Sequence, residues 1–205
     1  NAMRAQLSLD EKQIDYEYIT VDLFQGEHKR PEFLAVNPRG QVPTLVEGDA
    51  RVWESTAIVL YLEHRFPEPS LIPQDAVAVA NCYRLVGEFN QKLDPTNIFG
   101  SVKFRRMRRP ELGDRVDKLL AECRTWEGYA AQSPFLAGAT FSIADIVVLP
   151  FLGMIIDGLG LPQRDFPELH AWYERCKARP SVARQPWFEA FAGEKANVEQ
   201  HVLAG

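Results

Sequence analysis

Residues 26–49 read GEHKRPEFLAVNPRGQVPTLVEGD, and residues 53–67 read WESTAIVLYLEHRFP. Pro31 suits the first position of a short helix, PEFLAVN over 31–37, which Pro38 breaks. Two β-rich runs, Val42–Val46 and Arg51–Trp53, flank Glu47-Gly48-Asp49, which is turn chemistry for a hairpin. The stretch 55–66, STAIVLYLEHRF, is helical: Ile58, Leu62 and Phe66 share one face, with Val59 beside them.

Working outward, 4–13 (RAQLSLDEKQ) reads as a helix. Leu7 and Glu11 give it a mixed face, and Lys12 suits its last turn. Residues 14–23, IDYEYITVDL, alternate and are rich in β-branched and aromatic types, which predicts a strand. The order is then helix, strand, helix, strand, strand, helix. One strand in front would complete an α/β unit of thioredoxin-like arrangement. The start, Asn1-Ala2-Met3, reads as a cleavage scar ahead of an initiator methionine.

Downstream, 67–75 (PEPSLIPQD) holds three prolines and no periodicity, the signature of a linker. From residue 76 strand signals vanish. Helices are predicted over 76–93, 111–132, 142–158 and 167–178, with a short one near 186–192. The domains expected are 3–66 (thioredoxin-like), 67–75 (linker) and 76–205 (an all-α helical bundle). Within the bundle, Ser142 and Asp145 make a capping-box-like pair, and Phe141 and Ile146 are spaced as a hydrophobic staple. The helix that follows is apolar nearly all round, hence central, and Pro150 should bend it. Asp145→Ala should lose about 1 kcal/mol or more.

Composition narrows the partners. The net charge is −5 and the pI about 5.5, which gives no reason to expect nucleic acid or an anionic membrane as partner. No apolar stretch approaches the roughly 20 residues of a membrane span. Cys82, Cys123 and Cys176 are odd in number and widely spaced, which suits a reducing, cytoplasmic setting and buried thiols. No metal-ligand spacing appears, so no metal is expected. The basic run Lys103–Arg109 (KFRRMRR) reads as a solvated helix end, or else as a docking patch for an acidic ligand. Trp53, Trp126, Trp172 and Trp187 read first as core or interface residues.

Three segments in this order and spacing, 26–49, 53–67 and SPFLAGATFSIADIVVLPF at 133–151, resemble the cytosolic glutathione S-transferase family. A tail like FPELHAWYERCKARPSV, 166–182, is also typical of it. The pattern looks closest to the serine-type (phi, theta and rho-like) relatives. The resemblance implies a glutathione transferase that joins the glutathione thiolate to a small electrophile, in the cytoplasm and as a homodimer. Glutathione is then a co-substrate. Other readings are a non-catalytic binding or assembly module of the same fold, or another glutathione-dependent enzyme, such as a thiol-oxidoreductase, isomerase or dehalogenase.

The resemblance also assigns residues. Val42-Pro43 would be a cis peptide whose Val42 backbone pairs with the tripeptide as one strand edge pairs with another. Read alone, Pro43 could simply start an edge strand. Ser55 would hold the γ-glutamyl carboxylate and Glu54 would face the ammonium group; a helix start favours anions, although a serine there could equally be a plain cap. Lys29 and Gln41 would meet the glycine carboxylate, with His28 assisting; Arg30 and Arg39 stand nearby as substitutes. Trp187 and Phe188 could cover the electrophile pocket. The catalytic residue stays unknown. The family's first strand, with its Ser, Cys or Tyr, has no counterpart ahead of Arg4. Either Met3 is an internal methionine or residues between Met3 and Arg4 are absent. A swapped strand, a partner chain or those residues would then have to pair the strand at 14–23.

Overall fold

A computed structural model describes residues 1–187, 190, 202 and 203, and the chain divides into two compact units, Asn1–Leu71 and Ile72–Gly205.

In the first unit, helix α1 spans Ala2–Glu11, α2 Pro31–Val36 and α3 Ser55–Arg65. Strands β1 (Thr44–Glu47) and β2 (Ala50–Trp53) form an antiparallel hairpin with Thr44 opposite Trp53. Gly48 takes the left-handed conformation, φ 56°, that the two-residue turn needs. Ala5 and Leu9, one turn apart on α1, pack against Ile58 and Leu62 of α3, with Leu45 and Val52 of the hairpin laid on the cluster. This contact makes α1 and α3 neighbours and brings the start of α3 beside Arg4.

The strand expected over 14–23 is not formed. The segment is irregular, and among the described residues the sheet has two strands. Residue type expresses a side chain's preference for a pleated surface, but a strand exists only where a neighbouring backbone completes the ladder. Ile14 still packs against the Ala5–Leu62 cluster, but beyond it Tyr18 is 58% exposed and Ile19 71%.

The second unit is helical: α4 Ala76–Glu88, α5 Phe99–Lys103, α6 Arg109–Leu112, α7 Arg115–Ala130, α8 Ile143–Gly153, α9 Pro167–Lys177 and α10 Pro180–Ala183. The predicted helix 76–93 continues from α4 as a π-helical turn, Phe89–Leu93. That over 142–158 likewise ends in one, Met154–Gly158. Helix α8 is buried on every side, as its unbroken apolar run requires. Phe89 meets Trp126 and Phe151 edge-on, at centroid distances of 6.5 and 5.7 Å. The helix expected near 186–192 lies partly outside the described residues, as does Phe188. No helix among the described residues is long and apolar enough to cross a membrane.

The three cysteines are all buried, with no disulfide among them. Burial pushes the Cys123 thiol up to about 12. At pH 8 only about one in ten thousand of its molecules would carry the reactive thiolate. We therefore expect a thiol-specific chromogenic reagent to label none of the three within minutes in the folded protein, and all three in strong denaturant. Rapid native labelling of Cys123 would contradict the packing described.

Candidate functional site

The first unit contains a cavity of about 480 Å³, within the range of small-molecule sites. The loop between α2 and β1 forms one wall. Asn37 is 1% exposed and organises that loop. Its Nδ2 donates to the Gln41 carbonyl at 2.7 Å and to Thr44 Oγ1 at 3.0 Å, and its Oδ1 accepts from the Arg39 amide. Gly40 turns the chain at φ 57°. A Cβ there would lie 2.7 Å from the His28 carbonyl and 2.9 Å from Lys29 Nζ, so only glycine lets the two segments meet.

Lys29 lies at the end of the 3₁₀ turn Glu27–Lys29, and its Nζ donates to the Gly40 carbonyl at 3.1 Å. The ammonium group is thus held by the loop at the cavity wall. Beside it, His28 Nδ1 is a buried atom with no hydrogen-bond partner, the kind of orphan that a bound ligand can satisfy. The Val42–Pro43 peptide is cis, and both residues line the cavity just before β1 begins.

The junction of β2 and α3 also lines the cavity. Glu54 has φ 68° and ψ 117°, a conformation L side chains rarely adopt, and such outliers concentrate at binding and catalytic sites. Glu54 is the cap position, with no side-chain capping bond, and Ser55 is the first helical residue. The plain-cap reading of Ser55 therefore does not hold. Its hydroxyl instead accepts from Arg4 Nη1 at 3.0 Å. The amides of the first turn of α3 have no partner within the helix, and the macrodipole adds partial positive charge there.

The seven residues that the resemblance assigns to glutathione, His28, Lys29, Gln41, Val42, Pro43, Glu54 and Ser55, line this one cavity. Arg30 and Arg39 are not among its lining residues. Several lining residues were not anticipated: Asn37, Gly40, Leu23, Asn1 and Trp53, the last of which was expected in the core or an interface. Asn37 carried a readable signal, since asparagine just before proline marks a turn in which its side chain bonds nearby backbone. Arg4 carried none, because its partner lies 51 residues away.

The glutathione S-transferase N-terminal domain family matches residues 1–65, and the glutathione S-transferase C-terminal domain family matches residues 107–175. Glutathione S-transferase 1 of Dianthus caryophyllus is 35% identical over 176 residues, covering 82% of this chain and 78% of that protein. Glutathione S-transferase 3 of Zea mays is 32% identical over 200 residues, covering 90% and 87%. Among solved structures, a glutathione S-transferase from the Antarctic clam Laternula elliptica is similar with a TM-score of 0.81 and 31% identity, covering 95% of this chain and 92% of that one. On these matches, which span both units and exceed the level at which family membership is in question, the chain belongs to the glutathione S-transferase family.

Proposed function

We propose that this protein is a glutathione transferase whose cavity in the first unit holds glutathione and presents its thiol to a small electrophile. The observation that carries the reading is that two groups of polar residues line one cavity. One group is Ser55 and Glu54 at the start of α3, the other Lys29 and Gln41.

Glutathione is a zwitterion at one end and an anion at the other. At the γ-glutamyl end, the Ser55 hydroxyl and the amides at the start of α3 donate to the carboxylate, and the Glu54 carboxylate accepts from the ammonium. At the glycine end, Lys29 supplies a point charge and Gln41 an amide donor, with His28 assisting. Between them the Val42 backbone pairs with the ligand's main chain as a strand edge would. These contacts fix the position of the cysteine sulfur relative to the protein.

Conjugation then requires a thiolate. A free thiol titrates at about 8.5, so lowering it by about two units requires roughly 2.7 kcal/mol of differential stabilisation. Asn1, the residue before α1, lines the cavity, so the amino-terminal end of that helix adjoins it. A helix start favours the anionic form of a nearby thiol. Among the described lining residues Ser55 carries the only hydroxyl, and its place at the carboxylate end keeps it from the thiol. The thiolate attacks an electrophilic carbon, forming the C–S bond as the leaving group departs with its electron pair. The resemblance further suggests a cytoplasmic homodimer.

Calorimetric titration with glutathione tests the binding half of this reading, and turnover of a generic aromatic electrophile tests the chemistry. Ser55→Ala should weaken glutathione binding by about 10- to 100-fold, the worth of one charge-assisted hydrogen bond. Wild-type protein that shows no heat of binding and no competition by glutathione would overturn the assignment. Binding without turnover would select the non-catalytic binding module instead.

A further inference from the structure

We propose that Arg4, which lies outside the cavity, is a positioning residue that turns Ser55 into an obligatory hydrogen-bond donor and so makes the site select a carboxylate over its neutral amide. The proposal rests on the reading of the cavity as a glutathione site.

A serine hydroxyl has one hydrogen to give and two lone pairs to accept with. In solution it rotates, and it can serve a ligand in either role. A guanidinium carries only donors and stays protonated in proteins. Arg4 Nη1 lies 3.0 Å from Ser55 Oγ, so the oxygen is the acceptor and its own hydrogen must point elsewhere. That hydrogen caps no helix amide, because a hydroxyl hydrogen cannot, and α3 shows no side-chain capping bond. Ser55 lines the cavity while Arg4 does not. The hydroxyl hydrogen is thereby left for the ligand.

Burial makes the arrangement durable. Arg4 is 5% exposed and Ser55 7%, so water does not compete freely for either end of the bond. The positions of the two residues are set by separate elements. Arg4 is on the first turn of α1 and Ser55 opens α3, and those helices are locked by the Ala5, Leu9, Ile58 and Leu62 cluster. The register of that packing brings the guanidinium to the serine. Ser55 then offers a hydroxyl donor at the amide end of α3, where the macrodipole also favours an anion. A carboxylate satisfies that set of donors. A carboxamide turns an N–H₂ toward part of it and leaves donors facing donors.

The test compares two ligands on the full chain: glutathione, and its analogue with the γ-glutamyl carboxylate converted to a carboxamide. Binding of both is measured calorimetrically with wild type, Arg4→Met, Ser55→Ala and the double variant. Wild type should prefer the acid by tenfold or more, about 1.4 kcal/mol. Arg4→Met should weaken glutathione about tenfold while changing the amide less than twofold. Adding it to Ser55→Ala should cost less than a further twofold, because Arg4 acts through the serine. Equal losses for acid and amide in Arg4→Met indicate a merely structural role and overturn the proposal, as does an unchanged affinity for glutathione. If Arg4→Met does not fold, Ser55→Ala carries the test alone: an acid-over-amide preference as large as that of wild type refutes the proposal. Wild type that binds neither ligand sinks the glutathione reading itself, an outcome distinct from binding without discrimination.

Discussion

Asp145→Ala should destabilise the protein by about 4 kcal/mol, lowering its thermal midpoint by roughly 10 °C. The capping pair alone would predict about a quarter of that. The carboxylate is fully buried, and its two oxygens serve four donors. Oδ1 accepts from the Leu136 amide at 2.9 Å and from Trp172 Nε1 at 2.8 Å. Oδ2 accepts from the Ser142 amide and the Ser142 hydroxyl, each at 2.9 Å. One side chain therefore ties together the loop before α8, the start of α8 and the middle of α9. Alanine would strand three N–H groups in the core, each costing about 1–3 kcal/mol when left without an acceptor. Burial pushes the Asp145 carboxyl above the ordinary carboxylate range, and the four donors oppose that shift. Removing the side chain relieves this desolvation, which is why the loss is set below the sum of the stranded groups. Asp145→Asn should recover about half. Its oxygen can keep Leu136 and Trp172, while its NH₂ opposes the Ser142 amide. Thermal denaturation followed by circular dichroism measures both variants. An alanine variant melting within about 2 °C of wild type would show that the network contributes little.

A second large loss is expected for Lys12→Met, about 3–5 kcal/mol in the first unit. Lys12 has three ammonium hydrogens and three acceptors: Glu63 Oε2 at 2.5 Å, the Phe66 carbonyl at 2.7 Å and the Pro69 carbonyl at 2.9 Å. Its side chain is wholly buried, and Glu63 is nearly so. Glu63 also accepts from the Ser70 hydroxyl and the Leu71 amide. The pair thus fastens the end of α1 to the end of α3 and to the stretch after it. Methionine fits the volume but leaves a buried carboxylate facing no cation, the costly half of breaking such a pair. Adding Glu63→Gln removes that stranded charge and should restore at least half of the loss. Urea titration of the single and double variants decides the matter. A Lys12→Met midpoint indistinguishable from wild type, or a double variant weaker than either single one, would refute the account.

Both cases show the limit of reading along the chain. Lys12 looked like an ordinary last-turn cation, and the mass of its interactions lies 51 to 57 residues away. Asp145 was legible as a capping residue through Ser142, three positions before it, but not as the acceptor for Trp172, 27 positions after it. The cavity-lining residues were legible for a different reason. Lys29, Gln41, Val42, Pro43, Glu54 and Ser55 belong to motifs whose spacing resembled a known family, and they meet in one cavity.

What the sequence determined by itself is local. Pro31 and Pro38 bound a short helix, Glu47-Gly48-Asp49 turns a hairpin, the Ile58–Leu62 spacing lays a helix on a core, and the Ser142–Asp145 pair starts another. Each depends on groups a few residues apart, whose geometry the backbone sets directly. Tertiary structure decided the rest: that residues 14–23 stay out of the sheet although their types suit a strand, that Trp53 lines a cavity, and that Ser55 is answered by Arg4 instead of capping α3. A ladder needs a second backbone and a buried hydroxyl needs a partner, and those partners are assigned only when distant segments pack.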